Sequence, residues 1–193
     1  MRRMAIDESK DLMGDPALRV VERFPEPAFT AFQRQVFADD VPSQLLTEVL
    51  DGEAAARQGR AAPQEQGALR IGAYRGDALV GWTYGRREPG HSFYMINSGV
   101  ALSERRRGIY SLLVRRVIEH AQAQGYVSIT SRHVAGNTAV LIAKLKLGFI
   151  VSGFEYSEVY GPLVRLTYLV GEPRRKLYQS RAGSIRRIDT DAV

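Results

Sequence analysis

The sequence has no cysteine in its 193 residues. That excludes disulfides, iron–sulfur clusters and thiolate zinc sites, and it favours a reducing, cytoplasmic setting. Histidine is scarce as well. His91, His120 and His133 are the three present, and no two stand at i, i+4, so no metal is expected. Long apolar runs are missing, and nothing approaches the length of a membrane span. The opening MRRMAIDESKDLMGDPA holds two arginines with no apolar stretch behind them, which is not the pattern of a signal peptide. Neither GxxxxGK[ST] nor GxGxxG occurs, so a P-loop and a dinucleotide fingerprint are both excluded. There is no internal repeat.

What is present reads as one mixed α/β domain with a core. The formal net charge is +6, and residues 172–193, with six basic and three acidic side chains, carry half of it. Such a polar run reads as a solvated tail rather than a folded nucleic-acid surface. Leu18 to Phe24 is a short β-rich run. Pro27 stands near the start of a helix with Phe29, Phe32, Val36 and Phe37 at helical spacing. Pro42 opens a second, with Leu45, Leu46, Val49 and Leu50 on one face, and 59–67 is a polar loop. LRIGAY and ALVGWTYG flank the turn Arg75-Gly76-Asp77, and a long β run follows from Ser92 to Ser103. Gly99 inside that run predicts a bulge or a close backbone approach. A helix with Ile109, Leu112, Leu113, Val117 and Ala121 ends near Gly125. YVSITSR is a buried-type strand. Asn137 caps a helix that Gly148 stops, and two strands close the order β-α-α-β-β-β-α-β-α-β-β.

The stretch SERRRGIYSLL, Ser103 to Leu113, sets three arginines and a glycine where a helix begins. A helix N-terminus presents unpaired N–H groups and partial positive charge, and a preceding glycine lets a ligand approach the backbone. Arginines there oppose the helix dipole, and a bound anion offsets that repulsion. A merely basic solvated loop is the bland alternative.

VALSERRRGIY resembles the pyrophosphate loop of the GCN5-related N-acetyltransferase (GNAT) family, V-x-P-x-x-R/Q-x-x-G-x-G/A. Val100, Arg105 and Gly108 match; Leu102 replaces the proline and Tyr110 the final small residue. NTAVLIAKLKLGF is similar to the family's later motif, N-x-x-A-x-x-L-Y-x-K-x-G-F, through Asn137, Lys146, Gly148 and Phe149, with Val140 where the small Ala is usual. The resemblance spans roughly residues 18–171. It implies residues 1–17 as a flexible extension, 18–171 as a GNAT-like domain and 172–193 as a basic tail. It also implies an α/β (α+β) fold, a mixed sheet of about seven strands with about four helices, splayed between strands 4 and 5.

The resemblance further implies an acetyl-CoA-dependent N-acetyltransferase, with acetyl-CoA as co-substrate and no metal. The backbone of Ser98, Gly99 and Val100 would hold the pantetheine arm. Arg105, Arg106, Arg107, Gly108, Ile109, Tyr110 and Ser111 would hold the pyrophosphate, with Asn137 also in the cofactor site. Arg106 or Arg107 would reach the 3′-phosphate, and the ring of Tyr110 would turn into the core. The N–H of Val100 would polarise the thioester carbonyl while a neutral primary amine, on a small molecule or a protein, attacks it directly. Where the family often places an acid tyrosine, this chain has Lys144. A lysine in a dry site can donate a proton, but the reading favoured here is a snorkelling surface lysine, whose loss lowers turnover less than tenfold. Tyr110, Tyr156 and Tyr160 remain alternative acids. The base is open between His133, His91 and a water chain, with both histidines read as ordinary loop residues. Phe29, Phe32, Phe37, Trp82, Tyr84, Tyr156 and Tyr160 read mostly as core. Glu48, Asp51 and Glu53 could draw a cationic amine. Binding to a membrane is not expected, nor to nucleic acid, and a homodimer is compatible. The second reading is an acyl-CoA-binding regulatory module that has lost catalysis.

Overall fold

Residues 14–37 and 67–181 are described by the structure, a computed structural model. The predicted helix after Pro42, with Glu48, Asp51 and Glu53, lies outside the described residues. Seven strands share one sheet: β1 (Ala17–Val20), β2 (Leu69–Arg75), β3 (Ala78–Glu88), β4 (Ser92–Val100), β5 (Ser128–Val134), β6 (Ile150–Ser157) and β7 (Gly161–Leu169). Their order across the sheet is β1-β2-β3-β4-β5-β7-β6. Every neighbouring pair is antiparallel except β4 and β5, which are parallel. Among the described residues four α-helices accompany them: α1 (Ala28–Val36), α2 (Ile109–Ala123), α3 (Thr138–Lys146) and α4 (Glu172–Arg181).

Successive residues of a strand face opposite sides of a sheet, and β3 shows both sides filled. Gly81 faces Ile109 and Leu113 of α2. Its neighbour Trp82, fully buried, packs against Phe29, Phe32 and Phe37 in edge-on ring contacts. The larger core lies on the α2 side, where Ile109, Leu113, Val114, Val117 and Ala121 form one buried stripe at helical spacing over Ile71, Ala73, Phe93 and Ile129. Each buried aliphatic side chain contributes about 1.5–3 kcal/mol. That stripe, more than local propensity, holds the start of α2 against the end of β4.

The last hairpin departs from expectation. Tyr156 is 81% exposed on β6 and Tyr160 60% exposed at the following turn, so neither is core. Among the described residues β6 is the outer strand of the sheet. The segment after β7 is helical as α4 and buries none of its residues. Arg175 ties it to β7 through a bond to the carbonyl of Leu169 at 3.0 Å.

Candidate active site

β4 and β5 pair over three residues each, Ser92–Tyr94 against Ser128–Thr130. Beyond Tyr94, β4 stays paired with β3 as far as Val100, and beyond Thr130, β5 stays paired with β7 as far as Val134. Each strand therefore keeps one partner, and the edges they turn toward each other part. A parted edge offers backbone donors and acceptors to an extended ligand, as a sheet edge does to an added strand. The register of β3 against β4 shifts at Tyr84/Gly85, where Ile96 is the extra residue. The bulge expected near Gly99 thus lies three residues earlier. Gly99 is required for another reason: a Cβ there would meet Trp82 Cη2 at 2.4 Å.

The loop after β4 is built by its charges. Leu102–Glu104 make one 3₁₀ turn, and buried Glu104 accepts from Arg75 Nε at 3.0 Å with Arg107 Nη1 at 3.6 Å. Arg105 turns inward. Its Nη2 donates to the carbonyl of Val36 at 2.9 Å and its Nε to that of Val100 at 3.3 Å. Val36 ends α1, whose last carbonyls lack helical partners, so the guanidinium satisfies one and joins α1 to the loop. Arg105 therefore shapes the loop, although all three arginines keep exposed surface. Arg106 at φ 64° and Gly108 at φ 80° are both left-handed. Backbone alternating in this way turns consecutive N–H groups to one side, forming an anion-sized concavity. No side chain caps α2 among the described residues, and a Cβ on Gly108 would meet nothing within 4 Å. The N–H groups at the start of α2 thus open onto unfilled space, which fits a pyrophosphate. Tyr110 packs on the core, as expected, and burial raises the pKa of its hydroxyl well above the ordinary value.

Lys144 overturns the surface reading. It is 0% exposed. Its Nζ donates to Ser131 Oγ at 2.7 Å and to Met95 Sδ at 3.3 Å, and lies 4.7 Å from the Phe149 ring centre. Met95 and Ser131 are the residues next after the last β4–β5 pair, so the ammonium sits where the strands separate. Helix α3 is apolar on nearly every face and leaves Ile142 and Leu145 exposed, which is why periodicity could not show which side Lys144 takes. Burial lowers its pKa from 10.5 to about 7. On the far side of Ser131, His133 Nε2 lies 3.0 Å from the same Oγ. Burial, and then the charge of Lys144, lower His133 from 6.5 to about 3. His133 is therefore no ordinary loop histidine.

Other predicted positions are placed as follows. Asn137 caps α3, its Oδ1 accepting from the N–H of Val140 at 3.3 Å. Ser98 Oγ bonds Thr83 Oγ1 at 2.8 Å, which leaves its backbone for the edge of β4. His91, at φ 57°, belongs to the β3–β4 turn, where its carbonyl accepts from Val127. Ser131 and Met95 were missed by sequence reasoning. The signal for Ser131 was alternation, since Ile129, Ser131 and His133 fall on one face of β5.

With this geometry in place, comparison with known proteins gives one family. A model of the acetyltransferase (GNAT) family matches residues 26–149. Among solved structures, the ribosomal-protein-S18-alanine N-acetyltransferase of Escherichia coli is similar at TM-score 0.57 and 14% identity, covering 81% of this chain and 96% of that one. A Bacillus subtilis acetyltransferase in complex with CoA has TM-score 0.57 and 15% identity, over 81% and 99%. A probable acetyltransferase from Staphylococcus epidermidis has TM-score 0.60 and 14% identity, over 80% and 99%. At these identities the likeness shows the fold. No curated protein matches the sequence.

Proposed function

The chain belongs to the acetyltransferase (GNAT) family, and we propose that it moves the acetyl group of acetyl-CoA to a primary amine by direct attack on the thioester. The observation that carries this reading is the continuity of two features: the parted edge of β4 leads, through the short loop 101–108, to the glycine-opened start of α2. An extended pantetheine arm can lie along Ser98–Val100 while the pyrophosphate takes the N–H groups from Arg106 to Ser111. Arg106, exposed beside them, offers charge for the 3′-phosphate. The acceptor is an amine on a small molecule or a protein.

The reaction needs a donor at the thioester oxygen and a proton for the sulfur. For the oxygen we propose the backbone N–H groups of β4 between the Ile96 bulge and Val100, Val100 included, and for the sulfur a proton that originates on Lys144, set where β4 and β5 part.

Calorimetry with Gly108→Asp tests the cradle. A carboxylate at that position caps α2 itself and competes with the phosphates, so affinity for acetyl-CoA is expected to fall at least tenfold while the fold persists. Unchanged affinity contradicts the assignment.

A further inference from the structure

We propose that Lys144, Ser131 and His133 form a proton relay serving the departing thiolate, with Lys144 as the buried store and His133 as the outlet on the parted edge of β5; this rests on the transferase reading above. A side chain with no exposed surface cannot hand a proton directly to solvent or ligand. Its proton must leave through a neighbour. Of the three groups around Nζ, a thioether has no proton to pass on, and neither has the Phe149 ring. A hydroxyl has one. Ser131 Oγ accepts from Nζ at 2.7 Å, which leaves its own hydrogen for His133 Nε2 at 3.0 Å. That assignment makes Nδ1 the protonated nitrogen of the neutral ring. His133 is half-buried, on the stretch of β5 where β4 has already turned away.

The surroundings isolate this pair of titrating groups. Phe93 and Met95 of β4 bring no charge. Arg132, between Ser131 and His133, points to the opposite face and bonds Glu155. On α2, burial raises the pKa of Tyr110, and burial with the charge of Arg116 lowers that of His120, so each is shifted toward its neutral form. Lys146 of α3 is exposed.

The step balances as follows. The amine nitrogen bonds the acetyl carbon, the carbon–sulfur bond breaks, and sulfur leaves with the electron pair. The thiolate takes the Nδ1 proton of His133 as the Ser131 hydrogen moves to Nε2 and a Lys144 hydrogen moves to Ser131 Oγ. Lys144 ends neutral. The amine nitrogen releases its proton to water, and Lys144 regains one from solvent along the same chain. With Lys144 near 7, the store is about half full at neutral pH, a value matched to the task.

The test is a ¹⁵N-histidine NMR titration of the full chain from pH 5 to 9, without ligand. His133 is expected to keep one neutral tautomer throughout, with its ring shifts stepping near pH 7 as Lys144 titrates through Ser131. Ser131→Ala should remove that step, and Lys144→Met should remove it and raise the pKa of His133. A His133 that titrates near 6.5 in the wild type overturns the relay, as does a step that survives Ser131→Ala. The kinetic arm is thiol release. Ser131→Ala should keep its acetyl-CoA affinity, lose at least tenfold in kcat, and lose the fall in kcat as pH rises through 7. An unchanged profile overturns the relay and leaves the transferase standing. A wild type that binds acetyl-CoA but acetylates no amine overturns the transferase, and the titration still decides whether the three groups share a proton.

Discussion

Lys144 stabilises this fold poorly in its charged form. Its pKa falls from 10.5 unfolded to about 7 folded, so between those values the unfolded chain binds the extra proton. Stability from this group therefore rises with pH above 7 and is lowest below it. Lys144→Met removes the penalty and the pH dependence together. Its gain in Tm over the wild type is expected to be larger at pH 6 than at pH 9, by about 5 °C, in thermal melts at the two values. Its turnover should fall more than tenfold, roughly 1.4 kcal/mol or more in barrier. A pH-independent gap would mean that the lysine titrates near its ordinary value. The position of Lys144 in the later motif was legible in the sequence. Its burial was not, because α3 offers apolar residues on all sides and one lysine among them has no periodicity of its own. Alternation put Ser131 on one face of β5 with Ile129 and His133, but its role was not legible until Lys144 of α3 was placed beside it.

At the scale of elements, the end of β4 and the start of α2 form the working unit. Gly99 and Gly108 serve it differently. A Cβ on Gly99 collides with the buried indole of Trp82, so Gly99→Ala should cost about 1–3 kcal/mol through displaced packing, visible as a lower Tm. A Cβ on Gly108 meets nothing, so Gly108→Ala costs about 1 kcal/mol for its left-handed backbone alone. A loss at Gly108 as large as that at Gly99 would show that the loop is packed rather than open. The glycine spacing that marked the loop was readable from residues. The reason for Gly99 was not, since it depends on which side of β3 carries Trp82. The three arginines looked alike in sequence, yet they divide in the structure. Arg105 holds α1 to the loop, Arg107 neighbours Glu104, and Arg106 takes the left-handed backbone turn.

At the scale of the whole molecule, the succession of strands along the chain followed from periodicity and turn signals, and the separation of β4 from β5 followed from the resemblance. The acceptor side did not follow from either. Phe29, Phe32 and Trp82 are spent on the second core, while Tyr156 and Tyr160 lie in the open. The basic excess is likewise peripheral, with Arg174, Lys176 and Arg181 on a helix that buries nothing. Removing residues 172–193, α4 included, is expected to leave acetyl-CoA affinity within twofold. Salt-sensitive DNA binding that survives this removal would point to the α2 loop as a nucleic-acid surface instead. The most direct measurement is thiol release from acetyl-CoA by the full chain across a panel of primary amines, small molecules and peptide N-termini together. The account predicts amine-dependent release with at least one of them, falling in kcat as pH rises through 7. Binding of acetyl-CoA with no release on any amine would contradict it.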